Sequence, residues 1–276
     1  MTTAQAQPRT SEWGSDRVDL DAYLRRITYD GPLTTSIDTL RGLHRAHAAT
    51  IPFENLDILL GRPIPLDIDS LQDKLVRRPR GGYCYEHNLL FTAVLDRLGY
   101  RVTPLGARVR MGSDKLQPRS HALLRVRADG EDWLADVGFG GEGILEPIAL
   151  VPGTTARQSG WTYRLDREPG GVWVLRSLHP DRWFDLYSFT GEPHHHVDYG
   201  VYNHSASTSP SSPFVNRVVV QRTGEQARHT LVGRDLTTTR PGGERTLRRV
   251  TDDELAGVLA ATFGIVMEPG EVARLP

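Results

Sequence analysis

Cys84 is the only cysteine of this 276-residue chain, and it follows two glycines at the start of a helical period. Gly81-Gly82 let the backbone turn sharply, which places the thiol in the first turn of a helix over about residues 83–98, with Gly99 as its C-terminal cap. In that turn the unpaired N–H groups and the positive end of the helix dipole favour an anion. The same N–H groups can receive the oxyanion formed when sulfur attacks a carbonyl. The position suits acyl transfer, although a lone cysteine is by default a small buried hydrophobe. The choice between the two turns on whether a base lies near.

Ten histidines supply candidates, and a nucleophilic cysteine needs one that is itself oriented by a third group. Asp129-Gly130 is a two-residue hairpin signal between strands over 120–127 and 132–137. Such a turn sets Arg127 opposite Asp132 and Leu123 opposite Asp136. His121 then lies two residues along on the same face as Asp136, ~7–8 Å away between backbones and bridgeable by the two side chains. The register predicts a His121–Asp136 couple. His87 rivals it, because positions i and i+3 of a helix are neighbours; the partner aspartate favours His121. His194-His195-His196 sets two ligands on one strand face with no third at a metal spacing, so it reads as a solvated loop and no metal is expected. His44 and His47 share a helix face without a His-Glu-x-x-His pattern and read as structural or surface residues.

These side chains need elements to hold them. The first dozen residues are polar and read as a frayed start. Val18, Leu20, Tyr23, Leu24 and Ile27 form a helical stripe that Gly31-Pro32 breaks. A second helix follows Thr34-Thr35-Ser36, with Ile37, Leu40, Leu43, His44 and His47 on one side, and a short third helix over 70–77 stops at Pro79. Beyond Gly99, strands are expected over 101–111, 120–127, 132–137, 161–166, 172–177 and 183–189, an antiparallel sheet or small barrel. Residues 205–213, rich in Ser, Thr and Pro, read as a loop. Strands over 214–223, 226–232 and 234–239 follow it. Thr251-Asp252-Asp253-Glu254 is a capping box before a last helix carrying Leu255, Val258, Leu259 and Phe263. The chain reads as α+β: a helical part, 1–99, with the cysteine; a β-barrel part, 100–205, with the histidine and aspartate; and a smaller mixed part, 206–276.

Composition narrows the function classes. With 33 basic against 34 acidic side chains the formal charge is −1, which gives no reason to expect a nucleic acid or an acidic membrane as partner. A hydrophobic fraction of 38% beside 24% charge can bury a proper core. No apolar stretch approaches the ~20 residues a bilayer requires. The first residues lack the basic start and apolar centre of a signal peptide. A single cysteine excludes an internal disulfide framework and a cysteine-based structural zinc. A cytoplasmic protein is expected. Of the 33 cations only Lys74 and Lys115 are lysine, a bias of GC-rich bacterial genomes rather than of function.

The segment Arg80-Gly81-Gly82-Tyr83-Cys84-Tyr85-Glu86-His87-Asn88 carries every fixed position of the R-G-G-x-C-x-E-x-N motif of the arylamine N-acetyltransferases, and the chain resembles that family. Ile51-Pro52-Phe53-Glu54-Asn55-Leu56, Ser120-His121, Asp136-Val137-Gly138-Phe139-Gly140 and the Ser/Pro stretch 207–214 resemble further family segments in the right order. The resemblance implies an N-terminal helical bundle, a central antiparallel β-barrel and a C-terminal α/β lid, with a triad of Cys84, His121 and Asp136 between the first two. It implies ping-pong chemistry, in which the cysteine takes acetyl from acetyl-CoA and passes it to an arylamine, arylhydrazine or N-hydroxyarylamine. Acetyl-CoA is then a cosubstrate, with no cofactor bound permanently, and a homo-oligomer is compatible with the family. By analogy with family positions, Phe53, Val109, Phe139 and Phe214 would line an apolar slot for a flat aromatic amine, and Gly138, Gly140 and Gly141 would lie beside the pantetheine arm of CoA. The pairs Arg77-Arg78 and Arg248-Arg249 are either solvated or in reach of CoA phosphates. Detoxification of xenobiotic amines is one role this implies. Amide (macrolactam) synthases of polyketide antibiotic biosynthesis resemble the same family and keep the triad, as would a hydrolase or transglutaminase-like enzyme, so these stand as alternatives.

Overall fold

A computed structural model describes residues 11–113 and 115–276. Residues 1–10, most of the expected frayed start, lie outside the described residues; Ser11 and Glu12 are tied down. The Ser11 hydroxyl donates to Asp96 at 2.7 Å, and Glu12 accepts from the His196 backbone N–H at 2.8 Å.

Helices α1 (Leu20–Ile27) and α2 (Ile37–Thr50) start where side chains take up their free N–H groups: Asp19 accepts from Ala22 and Ser36 from Thr39. Strand β1 (Phe53–Glu54) and helix α3 (Leu56–Leu59) follow. Helix α4 (Ile68–Gln72), capped by Asp67, widens into a π-turn over Asp73–Arg77 that Pro79 closes. Helix α5 (Cys84–Arg97) is buried on every side from Cys84 to Leu95. A helix wet on no face needs partners all round, and the barrel supplies one side of them.

That barrel comprises β2 (Arg101–Val109), β3 (Arg119–Ala128), β4 (Glu131–Ala135), β5 (Ile148–Ala149), β6 (Thr154–Gln158), β7 (Trp161–Glu168), β8 (Val172–Leu178) and β9 (Trp183–Pro193). The strands pair antiparallel in the order β5-β4-β3-β2-β9-β8-β7-β6, and β5 comes back beside β6, so the sheet nearly closes. The β3–β4 register is the expected one: Arg127 faces Asp132 and Leu124 faces Ala135. Leu105, Leu123, Leu134, Leu165, Leu175 and Leu186 fill the interior. Strand β6 was not expected from the sequence; its Thr-Thr-Ala-Arg-Gln has little apolar signal.

Helices α6 (His196–Thr208) and α7 (Pro213–Asn216) lead to β10 (Val219–Thr223), β11 (Arg228–Val232), β12 (Asp235–Thr239) and β13 (Arg245–Arg249), and then to α8 (Asp252–Phe263) and α9 (Pro269–Val272). The expected loop 205–213 is therefore corrected: its first four residues finish α6. This helix escapes sequence reading because it carries Gly200 and buries only Tyr199 among its residues, leaving no apolar stripe. The second sheet runs β1-β10-β11-β12-β13, so a strand from the first hundred residues forms its edge. Leu255, Leu259 and Phe263 of α8 pack there with Val218, Val220 and Leu231. The capping box holds: the Thr251 N–H donates to Glu254 at 3.0 Å.

Beneath α5 lies a buried ionic cluster. Lys74 Nζ reaches Glu86 Oε1 at 2.8 Å and Asp57 Oδ2 at 3.0 Å, while Arg80 reaches Glu54 at 2.7 Å and Asp57 at 3.1 Å. Burial opposes the Asp57 charge, but Lys74 and Arg80 outweigh it and hold the carboxyl down at about 2. Removing one partner from such a group strands the others away from water. Lys74→Met should cost about 3–5 kcal/mol in urea unfolding, and adding Glu86→Gln should return at least ~1 kcal/mol of that loss. Losses that simply add would show that Lys74 and Glu86 are not coupled.

Candidate active site

The two glycines before Cys84 are forced by what lies against them. A Cβ on Gly81 would sit 1.8 Å from the Pro52 carbonyl oxygen, and one on Gly82 would sit 2.6 Å from the Glu86 carboxylate. That carboxylate accepts the Tyr83 N–H at 3.0 Å and so caps the start of α5. The Glu54 N–H donates to the Gly82 carbonyl at 2.7 Å. This contact lays β1, and Phe53 with it, alongside the turn that presents Cys84. The thiol is buried, with Sγ 3.8 Å from the Ser120 carbonyl oxygen.

His121 comes from the adjacent β3, opposite Ala107 of β2, and Asp136 follows the last residue of β4. His121 Nε2 donates to Asp136 Oδ2 at 2.6 Å. Asp136 Oδ1 accepts from Asn88 Nδ2 and from the Gly138 N–H, each at 3.0 Å. Asn88 lies one helical turn beyond Cys84. Its Nδ2 also donates to the Ala122 carbonyl at 2.7 Å, and its Oδ1 accepts the Val137 N–H at 3.2 Å. One amide therefore stitches α5 to both arms of the hairpin. Gly138 has no room for a side chain, since a Cβ would lie 2.9 Å from the Cys84 backbone. The structure brings His121 and Asp136 together, as the hairpin register requires, and sets Cys84 beside them. Burial pushes the His121 imidazole down, but the Asp136 carboxylate, and then Cys84, push it further up, to about 10. Burial would raise Asp136; the His121 charge and the bonds from His121, Asn88 and Gly138 hold it below the usual carboxylate range.

The rival base is occupied elsewhere. His87 Nε2 lies 3.1 Å from the Pro52 carbonyl oxygen, which can only accept, so that nitrogen carries the proton. His87 Nδ1 accepts from His47 Nε2 at 2.9 Å, and His47 Nδ1 accepts from the Tyr23 hydroxyl at 2.9 Å. Burial lowers His87 to about 4, and His47 also falls well below the ordinary imidazole value. This neutral chain leaves His87 nothing with which to take a proton from Cys84. His44 is buried as well: Nδ1 donates to the Leu145 carbonyl at 2.9 Å and Nε2 accepts the Asp136 N–H at 3.1 Å. Both His44 and His47 are buried, so the surface reading of the pair is corrected.

Near these three residues, Phe53 and Phe214 meet with ring centroids 5.8 Å apart. Phe139 packs edge-on to His121 at 5.1 Å and to Tyr187 at 5.0 Å. Tyr187 also lies 5.1 Å from His121 and pairs with Val109 on the adjacent strand β2. Phe214 is positioned by Asn55, whose Nδ2 donates to the Phe214 carbonyl at 2.7 Å and to that of Arg217 at 2.8 Å while Oδ1 accepts the Val219 N–H at 2.8 Å. In the glycine turn, the Gly138 N–H is given to Asp136 and the Gly141 N–H to Gln221 at 2.8 Å. A ligand at Gly138, Gly140 and Gly141 would have to use other atoms. Arg78, Arg248 and Arg249 already pair with Asp73, Glu254 and Asp235. Asn88, Tyr187, Asn55 and the ionic cluster had no assigned role from sequence; Asn88 alone had a local signal, its one-turn spacing from Cys84. The solvated-loop reading of His194-His195-His196 is corrected for His194, which is buried against Gly106 and Tyr199, with His196 opening α6. Among the described residues no group of three or more His, Cys, Asp or Glu side chains is placed to hold a metal ion, and no helix is long and apolar enough to cross a membrane.

Comparison with known proteins gives a consistent result. A sequence profile for the N-acetyltransferase family matches residues 36–272. An arylamine N-acetyltransferase of Mycobacterium tuberculosis is 41% identical over 265 residues, covering 94% of this chain and 93% of its own length. The crystal structure of a Nocardia farcinica arylamine N-acetyltransferase superposes with a TM-score of 0.92 at 42% identity, covering 98% of this chain and 97% of that one. The Mycobacterium marinum arylamine N-acetyltransferase in complex with CoA superposes with a TM-score of 0.87 at 40% identity, over 93% of this chain and 98% of that one.

The raised His121 value has a thermodynamic signature. A histidine that titrates near 6.5 when unfolded and about 10 when folded stabilises the fold fully below pH 6.5, and loses that contribution as the pH climbs through 10. The difference in unfolding free energy between wild type and His121→Gln should therefore be flat below pH 6.5 and shrink to nothing near pH 10. A difference that grows with pH would mean that His121 is buried neutral.

Proposed function

The chain belongs to the arylamine N-acetyltransferase family, and on that premise we propose that it transfers acetyl from acetyl-CoA to aromatic amines and hydrazines through an acetyl-Cys84 intermediate. The observation that carries this reading is the 2.6 Å His121–Asp136 bond set against a cysteine at the start of a helix. With the proton held on His121, Cys84 attacks the acetyl carbonyl as a thiolate. The oxyanion is met by the first N–H groups of α5, which have no intrahelical acceptor. The carbon–sulfur bond to CoA then breaks, and the leaving thiolate takes the proton of His121.

His121, now neutral, accepts a proton from the amine as its nitrogen attacks the thioester. The bond to Cys84 breaks, and the thiolate and imidazolium are restored. Asp136 keeps the ring in place and stabilises its charge in both halves. An arylamine suits this site for two reasons. It is unprotonated at neutral pH, and its ring fits between Phe53, Phe214, Phe139 and Val109, where it is held for attack. The helical part, 1–99, then supplies the nucleophile, the barrel part, 100–205, the base and its partner, and the part from 206 onward a wall of the acceptor slot. The CoA arm is assigned to the turn of Gly138, Gly140 and Gly141, and the enzyme to the cytoplasm, where its acyl donor is made.

Two measurements test this. Mass spectrometry of the intact protein with acetyl-CoA alone should show a single acetyl group on Cys84, absent in Cys84→Ala and removed by an added arylamine; transfer that persists in Cys84→Ala rules out the covalent route. Phe53→Ser should raise KM for the amine about tenfold, with acetylation of Cys84 by acetyl-CoA slowed less than about threefold. If Cys84 acetylates and arylamines accept the group no faster than water does, the enzyme is a hydrolase or an amide synthase instead.

A further inference from the structure

Asp136 stands one residue beyond the last rung of the β3–β4 ladder, Leu124 opposite Ala135, so its backbone N–H has no strand partner. A buried N–H without an acceptor is costly. This one is donated to a side chain 92 residues earlier, His44 Nε2 on α2, at 3.1 Å. The other nitrogen of that ring lies 2.9 Å from the Leu145 carbonyl oxygen, which can only accept. Nδ1 must therefore carry the proton and Nε2 must be bare. The ring is fully buried and lies edge-on to Phe91 at 5.9 Å. One form of imidazole out of three satisfies both bonds. The Nε2–H tautomer or the imidazolium would set two N–H groups against each other at Asp136.

Resting on the reading that Asp136 orients His121, we infer that His44 is a positioning residue for the reaction: as the neutral Nδ1–H tautomer it fixes the Asp136 backbone, and through it the geometry of the Asp136–His121 bond. The carboxylate end of Asp136 is held by Asn88 and Gly138 and the backbone end by His44, so the aspartate cannot swing about either end. The ionisable groups that face His44 are Asp136 at the end of the hairpin, Glu146 beside Leu145, and His47 from its own helix. Burial, opposed by the Leu145 bond and by Asp136 and Glu146, leaves His44 at about 4. Around neutral pH it therefore remains neutral, with Nε2 an acceptor.

The test combines imidazole nitrogen NMR on the full chain with two substitutions that divide the ring's two bonds. In the wild type, His44 should show the Nδ1–H tautomer from about pH 5 to 9, the less common form in water; an Nε2–H signature overturns the inference whatever the variants do. His44→Gln keeps an acceptor where Nε2 lies and loses the donor to Leu145. His44→Asn keeps that donor and loses the acceptor. In His44→Asn, His121 should titrate at least about one unit lower, acetylation of Cys84 at saturating acetyl-CoA should fall about tenfold, and KM for acetyl-CoA should change less than about twofold. His44→Gln should restore the His121 titration and most of the rate. A role confined to packing would lower thermal stability in both variants alike and leave the His121 midpoint unmoved, and that outcome overturns the inference. If His44→Asn does not fold, the wild-type tautomer and the His121 titration in His44→Gln decide. A wild type that never acetylates at Cys84 would instead overturn the parent mechanism, so the two failures are distinguishable.

Discussion

A carboxylate and an imidazolium buried side by side are tolerable only if every remaining lone pair and proton has a partner, and much of this molecule is arranged around that condition. Asp136 uses both oxygens and its backbone N–H, and its partners come from four places: His121 on β3, Asn88 on α5, the Gly138 turn and His44 on α2. The bonds from Asn88 and His44 each tie the hairpin to a helix. The helical part and the barrel are held at the spacing at which a sulfur from one can meet an imidazole from the other. A Cβ at Gly138 would force them apart.

Helix α5 distributes its polar groups around its circumference. Successive residues of a helix point about 100° apart, so four polar positions within five residues face three different neighbours. Cys84 and Asn88, one turn apart, face the hairpin. Glu86 turns to Lys74 in the ionic cluster, and His87 turns to His47 and the Pro52 carbonyl. The ionic cluster holds the start of the helix by charge, and the histidine chain holds its flank with neutral, fully assigned hydrogen bonds. This separation leaves the nearest histidine in sequence with no free nitrogen: both are bonded on the far side from the hairpin.

The His121–Asp136 pair was legible from residue types and local register, and the cysteine turn from the two glycines before it. The Asp129-Gly130 turn settles which residues face each other, and the settled register brings His121 to Asp136 with no long-range information. The helices α1, α2, α5 and α8 were legible for similar reasons, through apolar stripes and caps within a few residues of one another. What stayed hidden depends on distance along the chain or lacks periodicity. His44 could not be tied to Asp136, nor Asn55 to Phe214, because nothing local marks a bond spanning 92 or 159 residues. Lys74 looked like compositional residue when its two acidic partners lay 12 and 17 positions away in the sequence. Helix α6 has no apolar face, and the histidine run that opens it looked solvated because its one buried member, His194, packs against a glycine on another strand.

The path of β1 has a consequence for how the protein comes into being. Phe53 and Glu54 pair with Gln221 and Val220, and Asn55 grips the segment from Phe214 to Val219, so one edge of the second sheet is made early on the ribosome and waits for strands made last. Contacts of such long separation form late and slowly. Until residues near 220 have emerged, the nascent chain holds a complete cysteine turn and hairpin beside an unpaired strand edge and an exposed Phe53. A nascent chain in that condition is prone to pair with the wrong neighbour. The final quarter of the chain therefore acts, during synthesis, as the element that retires this edge, and premature release upstream of it should yield an aggregating product even though Cys84, His121 and Asp136 have all been translated.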